Sequence, residues 1–93
     1  MGYSEERYMN EAFKKAEYKK LSSLLKRADP NSYEAEFYRG VMAENGLQCE
    51  IDKEAAKKHY VISYADGKGS LRAGNALARI YQKEENLDEA EEI

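Results

Sequence analysis

Apolar residues recur every three or four positions along almost the whole chain, and no run alternates apolar with polar for more than a few residues. A helix buries a stripe with a period near 3.6 residues, whereas a half-buried strand needs a period of two, so the pattern restricts the chain to helices. Tyr8, Met9, Ala12, Phe13 and Ala16 form a first stripe; Tyr18, Leu21, Leu24, Leu25 and Ala28 form a second. At about 100° per residue the two stripes point roughly 140° apart, so one straight helix cannot bury both. A break is expected near Lys15–Glu17, although neither Gly nor Pro stands there.

Caps and stops divide the rest. Ser4, followed by Glu5 and Glu6, is a candidate N-cap for the first helix. Asp29-Pro30-Asn31-Ser32 ends the second, and Asn31 with Glu34 has the spacing of a capping box for the third. That helix carries Ala35, Phe37, Tyr38, Val41 and Met42 and stops at Asn45-Gly46. Asp52 caps a fourth, bearing Ala56, His59, Tyr60, Ser63 and Tyr64 and ending at Asp66-Gly67. Ser70 opens a fifth with Ala73, Ala76, Leu77, Ile80 and Tyr81 on one face, and Asn86 with Glu89 predicts a sixth from Leu87.

The even-numbered segments share a pattern: EYKKL, DKEAA and NLDEA end at Leu21, Ala56 and Ala90, which are 35 and 34 residues apart. Met9, Gly40 and Ala78 align the odd-numbered ones more loosely, at 31 and 38. A period near 34 built from antiparallel helix pairs is the signature of an α-solenoid. On this alignment Gly40, Ala56, Ala78 and Ala90 are small where helices come close, and Tyr18, Tyr60 and Tyr81 fill wider gaps.

The stretch AEFYRGVMAENGLQCEIDKEAAKKHYVISYADG (residues 35–67) resembles a Sel1-like repeat, a relative of the tetratricopeptide repeat, through Ala35, Gly40, Gly46, Asp52, Ala56, His59-Tyr60 and Gly67. The flanks AEYKKLSSLLKRADPNS and ARIYQKEENLDEAEEI resemble tetratricopeptide-type half repeats. Arg39 stands where the pattern has an apolar residue, Tyr64-Ala65 replaces an Ala-Ala pair, and Gly69-Ser70 reads as a small insertion. The resemblance implies an all-α, short right-handed solenoid of about two and a half antiparallel helix pairs. It forms a single domain over residues 1–93, with repeats at about 4–29, 33–67 and, in part, 70–93.

Composition narrows the function classes. The chain has 93 residues, 42% apolar and 35% charged, with a net charge of −3, too mild to steer it toward nucleic acid. One cysteine allows no internal disulfide, which favours a reducing compartment. The charged N-terminus lacks the apolar core of a signal peptide, and no apolar run approaches membrane-spanning length. A cytoplasmic protein with no membrane association is expected.

The stretch CEIDKEAAKKH holds the chain's sole cysteine and histidine, Cys49 and His59. Zinc needs four ligands and nucleophilic catalysis needs a base beside the thiol, and neither spacing is present. Cys49 is read as a loop residue and His59 as the filler of an aromatic slot. The tail EENLDEAEE reads as a solvated face, and the basic residues Lys14, Lys15, Lys19, Lys20, Lys26 and Arg27 lack a groove-reading element, so nucleic-acid binding is disfavoured. No phosphate loop or hydrolase motif occurs. The chain is expected to be no enzyme, with no catalytic residue, cofactor or metal.

In the resembled families the first helix of each repeat lines a concave surface that grips partner segments. Carried over, that surface comprises Asn10, Phe13 and Lys14; then Phe37, Val41, Glu44 and Asn45; then Arg72, Asn75, Arg79, Gln82 and Lys83. The cationic third group points to a partner protein or peptide with acidic residues or a free C-terminus. The competing reading is that these are ordinary solvated helix faces. The expected function is a non-catalytic protein-interaction module, an adaptor or small inhibitor. The alternative is a self-assembly module, a homodimer formed through Leu87, Ala90 and Ile93 of the incomplete third repeat.

Overall fold

The computed structural model describes the backbone of residues 2–92 and the side chains of residues 7–85. Those residues form five α-helices: α1 (Gly2–Lys14), α2 (Tyr18–Arg27), α3 (Tyr33–Asn45), α4 (Lys53–Tyr64) and α5 (Leu71–Glu92), with a 3-10 turn at Ala65–Gly67 before α5. No strand occurs among the described residues, and none of their helices is long and apolar enough to cross a membrane.

The expected break between the first two helices is present. Ala16 adopts a left-handed φ of 58°, Ala16 N–H donates to Phe13 O, and Glu17 N–H donates to Ala12 O. These two bonds are the paired closure that normally carries glycine at the left-handed position. An alanine holds it here because continuing α1 would turn the Tyr18–Leu21–Leu25 stripe away from the core. Gly46, at φ 67°, closes α3 with the same left-handed residue, but both its own N–H and that of Leu47 donate to Met42 O.

Other boundaries move. Asp52 does cap α4, its carboxylate accepting from Ala55 N–H at 3.0 Å. The cap of α3, however, is Ser32, whose hydroxyl accepts from Ala35 N–H at 3.1 Å; Asn31 instead donates its backbone N–H to Asp29 in the preceding turn. Helix α1 begins at Gly2, ahead of Ser4. The largest correction is at the other end: α5 continues through Asn86 to Glu92, so no separate sixth helix begins at Leu87. Gln82-Lys83-Glu84-Glu85 are good helix formers with no Gly or Pro, and a capping pattern alone does not stop such a run.

Helix α3 is the centre, with eight residues buried, and it contacts α1, α2 and α4; α4 in turn carries α5. The α3–α4 and α4–α5 pairs are antiparallel, as the contacts Gly40–Tyr60 and Tyr33–Ser63, then Gly74–Tyr64 and Lys57–Glu84, show. Met9, Leu21, Tyr38 and Tyr60 are fully buried. Tyr60 lies over Gly40 and Tyr64 over Gly74, so α4 seats one ring on each neighbouring helix. Gly74, not Ala78, thus makes the close approach in α5; Ala78 is exposed, and Tyr81 is half-exposed beneath Lys57 rather than filling a gap.

Candidate functional site

Residues of α1, α3 and α5, with Tyr60 of α4, line one cleft of about 490 Å³. Its floor is apolar, from Phe13, Phe37, Val41 and Ala76; its walls are Glu44, Asn45, Tyr60, Arg72, Asn75 and Arg79. Eight of the twelve residues expected on the concave surface therefore meet: Phe13, Phe37, Val41, Glu44, Asn45, Arg72, Asn75 and Arg79. Asn10 joins them through Arg72, which donates to its Oδ1 at 3.3 Å. Lys83 lines an adjoining, smaller depression with Lys53, Ile80 and Glu84, which shares Glu44 and Asn45 with the cleft. Lys14 and Gln82 are exposed and line neither.

The cleft's cations are engaged from within. Arg79 donates to both carboxylate oxygens of Glu44, at 2.9 and 3.0 Å. Arg72 stacks its guanidinium 4.4 Å from the Phe37 ring centre, reaches Tyr38, and pairs with Glu34 at 3.8 Å. A cation over an aromatic face contributes about 0.5–1 kcal/mol at an exposed site, enough to hold the side chain flat against the floor. Both arginines of the cleft are thus already paired with carboxylates, and an incoming carboxylate has to compete with Glu44 for Arg79.

Tyr60 fills the packing over Gly40, as the sequence reading has it, and its hydroxyl end also reaches the cleft. It comes from α4, outside the set of first helices, and its hydroxyl crosses to Glu44 Oε1 at 2.7 Å. Burial first, and then the Glu44 carboxylate, push its phenol above the ordinary tyrosine range. A raised folded pKa means stability that is complete below the unfolded value of about 10 and is lost as pH rises beyond it. Lys57, raised by its bonds to Glu84 and Glu54, loses its ion pairs in the same direction. The expected result is that wild type loses denaturant resistance above about pH 10 and that Tyr60→Phe loses measurably less. Equal slopes for the two proteins in urea titrations overturn the Tyr60–Glu44 assignment.

Cys49 and His59 do come to one place, a cavity of about 400 Å³ between α2, α3 and the 46–52 loop, shared with Leu25, Arg39 and Met42. Cys49 is exposed and its thiol donates to Met42 O at 3.5 Å. His59 is not an aromatic filler: its Nδ1 lies 2.7 Å from Glu36 Oε2, and Arg39 binds the other oxygen of that carboxylate. Among the described residues no three His, Cys, Asp or Glu side chains are grouped to hold a metal. The Leu87, Ala90 and Ile93 side chains lie outside the described residues. No family model, curated protein or solved structure matches the chain.

Proposed function

We propose that the chain is a non-catalytic protein-interaction module whose α1–α3–α5 cleft takes an extended segment of a partner protein. The observation that carries this reading is the convergence of an apolar floor and polar walls from helices as far apart in sequence as α1 and α5. In this reading α1–α2 and α3–α4 are successive Sel1/tetratricopeptide-like repeats and α5 opens a third, giving a short right-handed solenoid with the cleft on its concave side. The partner segment places an apolar side chain over Phe13, Phe37 and Val41, and Asn75, exposed at the rim, bonds its backbone. A partner carboxylate takes Arg79 from Glu44. The single unpaired cysteine fits a reducing, cytoplasmic setting.

Site-specific photocrosslinking in the native cell tests this. A photoreactive side chain at position 75 is expected to trap one discrete partner, and Val41→Arg, which fills the floor with charge, is expected to abolish the adduct at least tenfold. The same adduct formed with equal yield from position 58, on the outer face of α4, overturns the reading.

A further inference from the structure

The cavity of about 400 Å³ that gathers Cys49 and His59 shares no lining residue with the cleft. Three segments build its apolar part. Leu25 of α2 and Met42 and Ala43 of α3 are buried, and Leu47 of the following loop packs partly buried against the core. The thiol apart, the ionisable lining is basic throughout: Lys26, Arg39 and His59. No acidic side chain is among the described residues that line the space.

Charge decides what such a space can hold. Glu36 binds Arg39 with one oxygen and His59 with the other, so it offsets one of the two permanent cations. The second, Lys26, is exposed in the last turn of α2 and forms no ion pair with a described residue. With His59 neutral, the surroundings therefore carry one positive charge in excess. Donors remain to meet an anion. Arg39 uses one nitrogen on Glu36 and the other terminal nitrogen on Leu25 O, while a guanidinium carries five N–H groups. His59 meets Glu36 through Nδ1, which leaves Nε2 as its other hydrogen-bonding atom. Gln48, with a left-handed φ of 61°, turns the loop where Leu47 and Cys49 join the lining; that backbone is uncommon for a residue with a side chain.

We infer that this cavity binds a small organic monocarboxylate. Its carboxylate sits at Lys26 and Arg39, and its aliphatic or aromatic body covers Leu25, Met42, Ala43 and Leu47. An apolar floor of this size with a few placed polar groups is the ordinary form of a small-molecule site. The body contributes the burial, and the head fixes orientation and excludes the wrong charge. A neutral analogue leaves the excess positive charge unmet, and a cationic one is repelled by it.

Cys49 supplies the readout, because it is exposed, lines the cavity and is the chain's sole cysteine. Its alkylation by iodoacetamide, an uncharged reagent, is followed in the full chain with sodium octanoate or 4-phenylbutyrate. At least one of these acids is expected to slow alkylation saturably at millimolar concentration, and 1-octanol is expected to do so far less. Lys26→Gln changes an exposed side chain and leaves the core untouched. It is expected to raise the half-protecting concentration about fivefold, in the range of an exposed ion pair, with wild-type circular dichroism. Lys68→Gln, an exposed lysine outside the cavity, is expected to leave that concentration unchanged. Absence of saturable protection by both acids overturns the inference, as does equal protection by 1-octanol. Lys26→Gln that is protected like wild type overturns it too, and so does equal weakening by Lys26→Gln and Lys68→Gln, which reports a general field and not a site.

Discussion

Gly40→Val is expected to destabilise the protein by about 3 kcal/mol and to lower Tm by roughly 12–24 °C. The sign is the informative part. Glycine inside a helix is destabilising by about 0.8–1 kcal/mol relative to alanine, so on propensity alone any replacement except proline in the middle of α3 should stabilise. A Cβ at position 40, however, meets Tyr60 Cε1 at 2.6 Å, Cδ1 at 2.7 Å and Cζ at 3.0 Å. That ring cannot swing aside cheaply, because it is fully buried, lies against Phe37, and is tethered through its hydroxyl to Glu44. Gly74 offers an internal comparison. A Cβ there meets Tyr64 at 2.6 Å, an equally short approach, but Tyr64 is only partly buried. Gly74→Val is therefore expected to cost about 1 kcal/mol, since a partly exposed ring can yield. Thermal denaturation followed by far-UV circular dichroism checks both; equal effects at the two positions rule out the tether as the cause.

These two glycines show where the sequence was readable and where it was not. Helix content, the Asp52 cap and the Gly46 stop follow from short-range rules, because each is decided by residues close to it in the chain. The break at Ala16 was legible only through the change of stripe direction, since its own residue type gives no sign of it. Which small residue meets which ring is a long-range fact. Gly74 and Ala78 both fit a helix face, and only the position of Tyr64 on α4 decides between them. The same limit explains the false stop at Asn86, where a local capping pattern was overridden by the propensity of the residues around it. For the cleft, counting along first helices located the floor and most of the wall. It read Tyr60 as packing, which it is, but not as a ring that also reaches the cleft from a second helix, and it could not show that Glu44 already occupies Arg79.

The second large effect is expected at Glu36, a residue that no motif singles out. Its carboxylate is nearly buried and holds Arg39 on one oxygen and His59 on the other. Arg39 passes on to Leu25 O at 2.9 Å, in the last turn of α2, where that carbonyl otherwise accepts only a long bond from Ala28 N–H, 3.4 Å, and a cation is favoured. One carboxylate thus ties α2, α3 and α4 together, and Arg39, which departs from the apolar residue of the repeat pattern, is where that tie is made. Glu36→Ala is expected to lower stability by about 2–3 kcal/mol. This sits at or below the cost of breaking a fully buried pair, because Arg39 and His59 keep 24% and 34% of their side-chain surface exposed. His59→Ala is expected to cost under about 1 kcal/mol, being the more exposed partner. Glu36→Leu combined with Arg39→Met is expected to regain most of the loss, since replacing both charges removes the unpaired one that a single change leaves behind. Urea unfolding of the three variants decides the matter. If Glu36→Ala matches wild type, the network is surface decoration, and the three helices are held together by Leu21, Leu25, Met42 and their apolar neighbours alone.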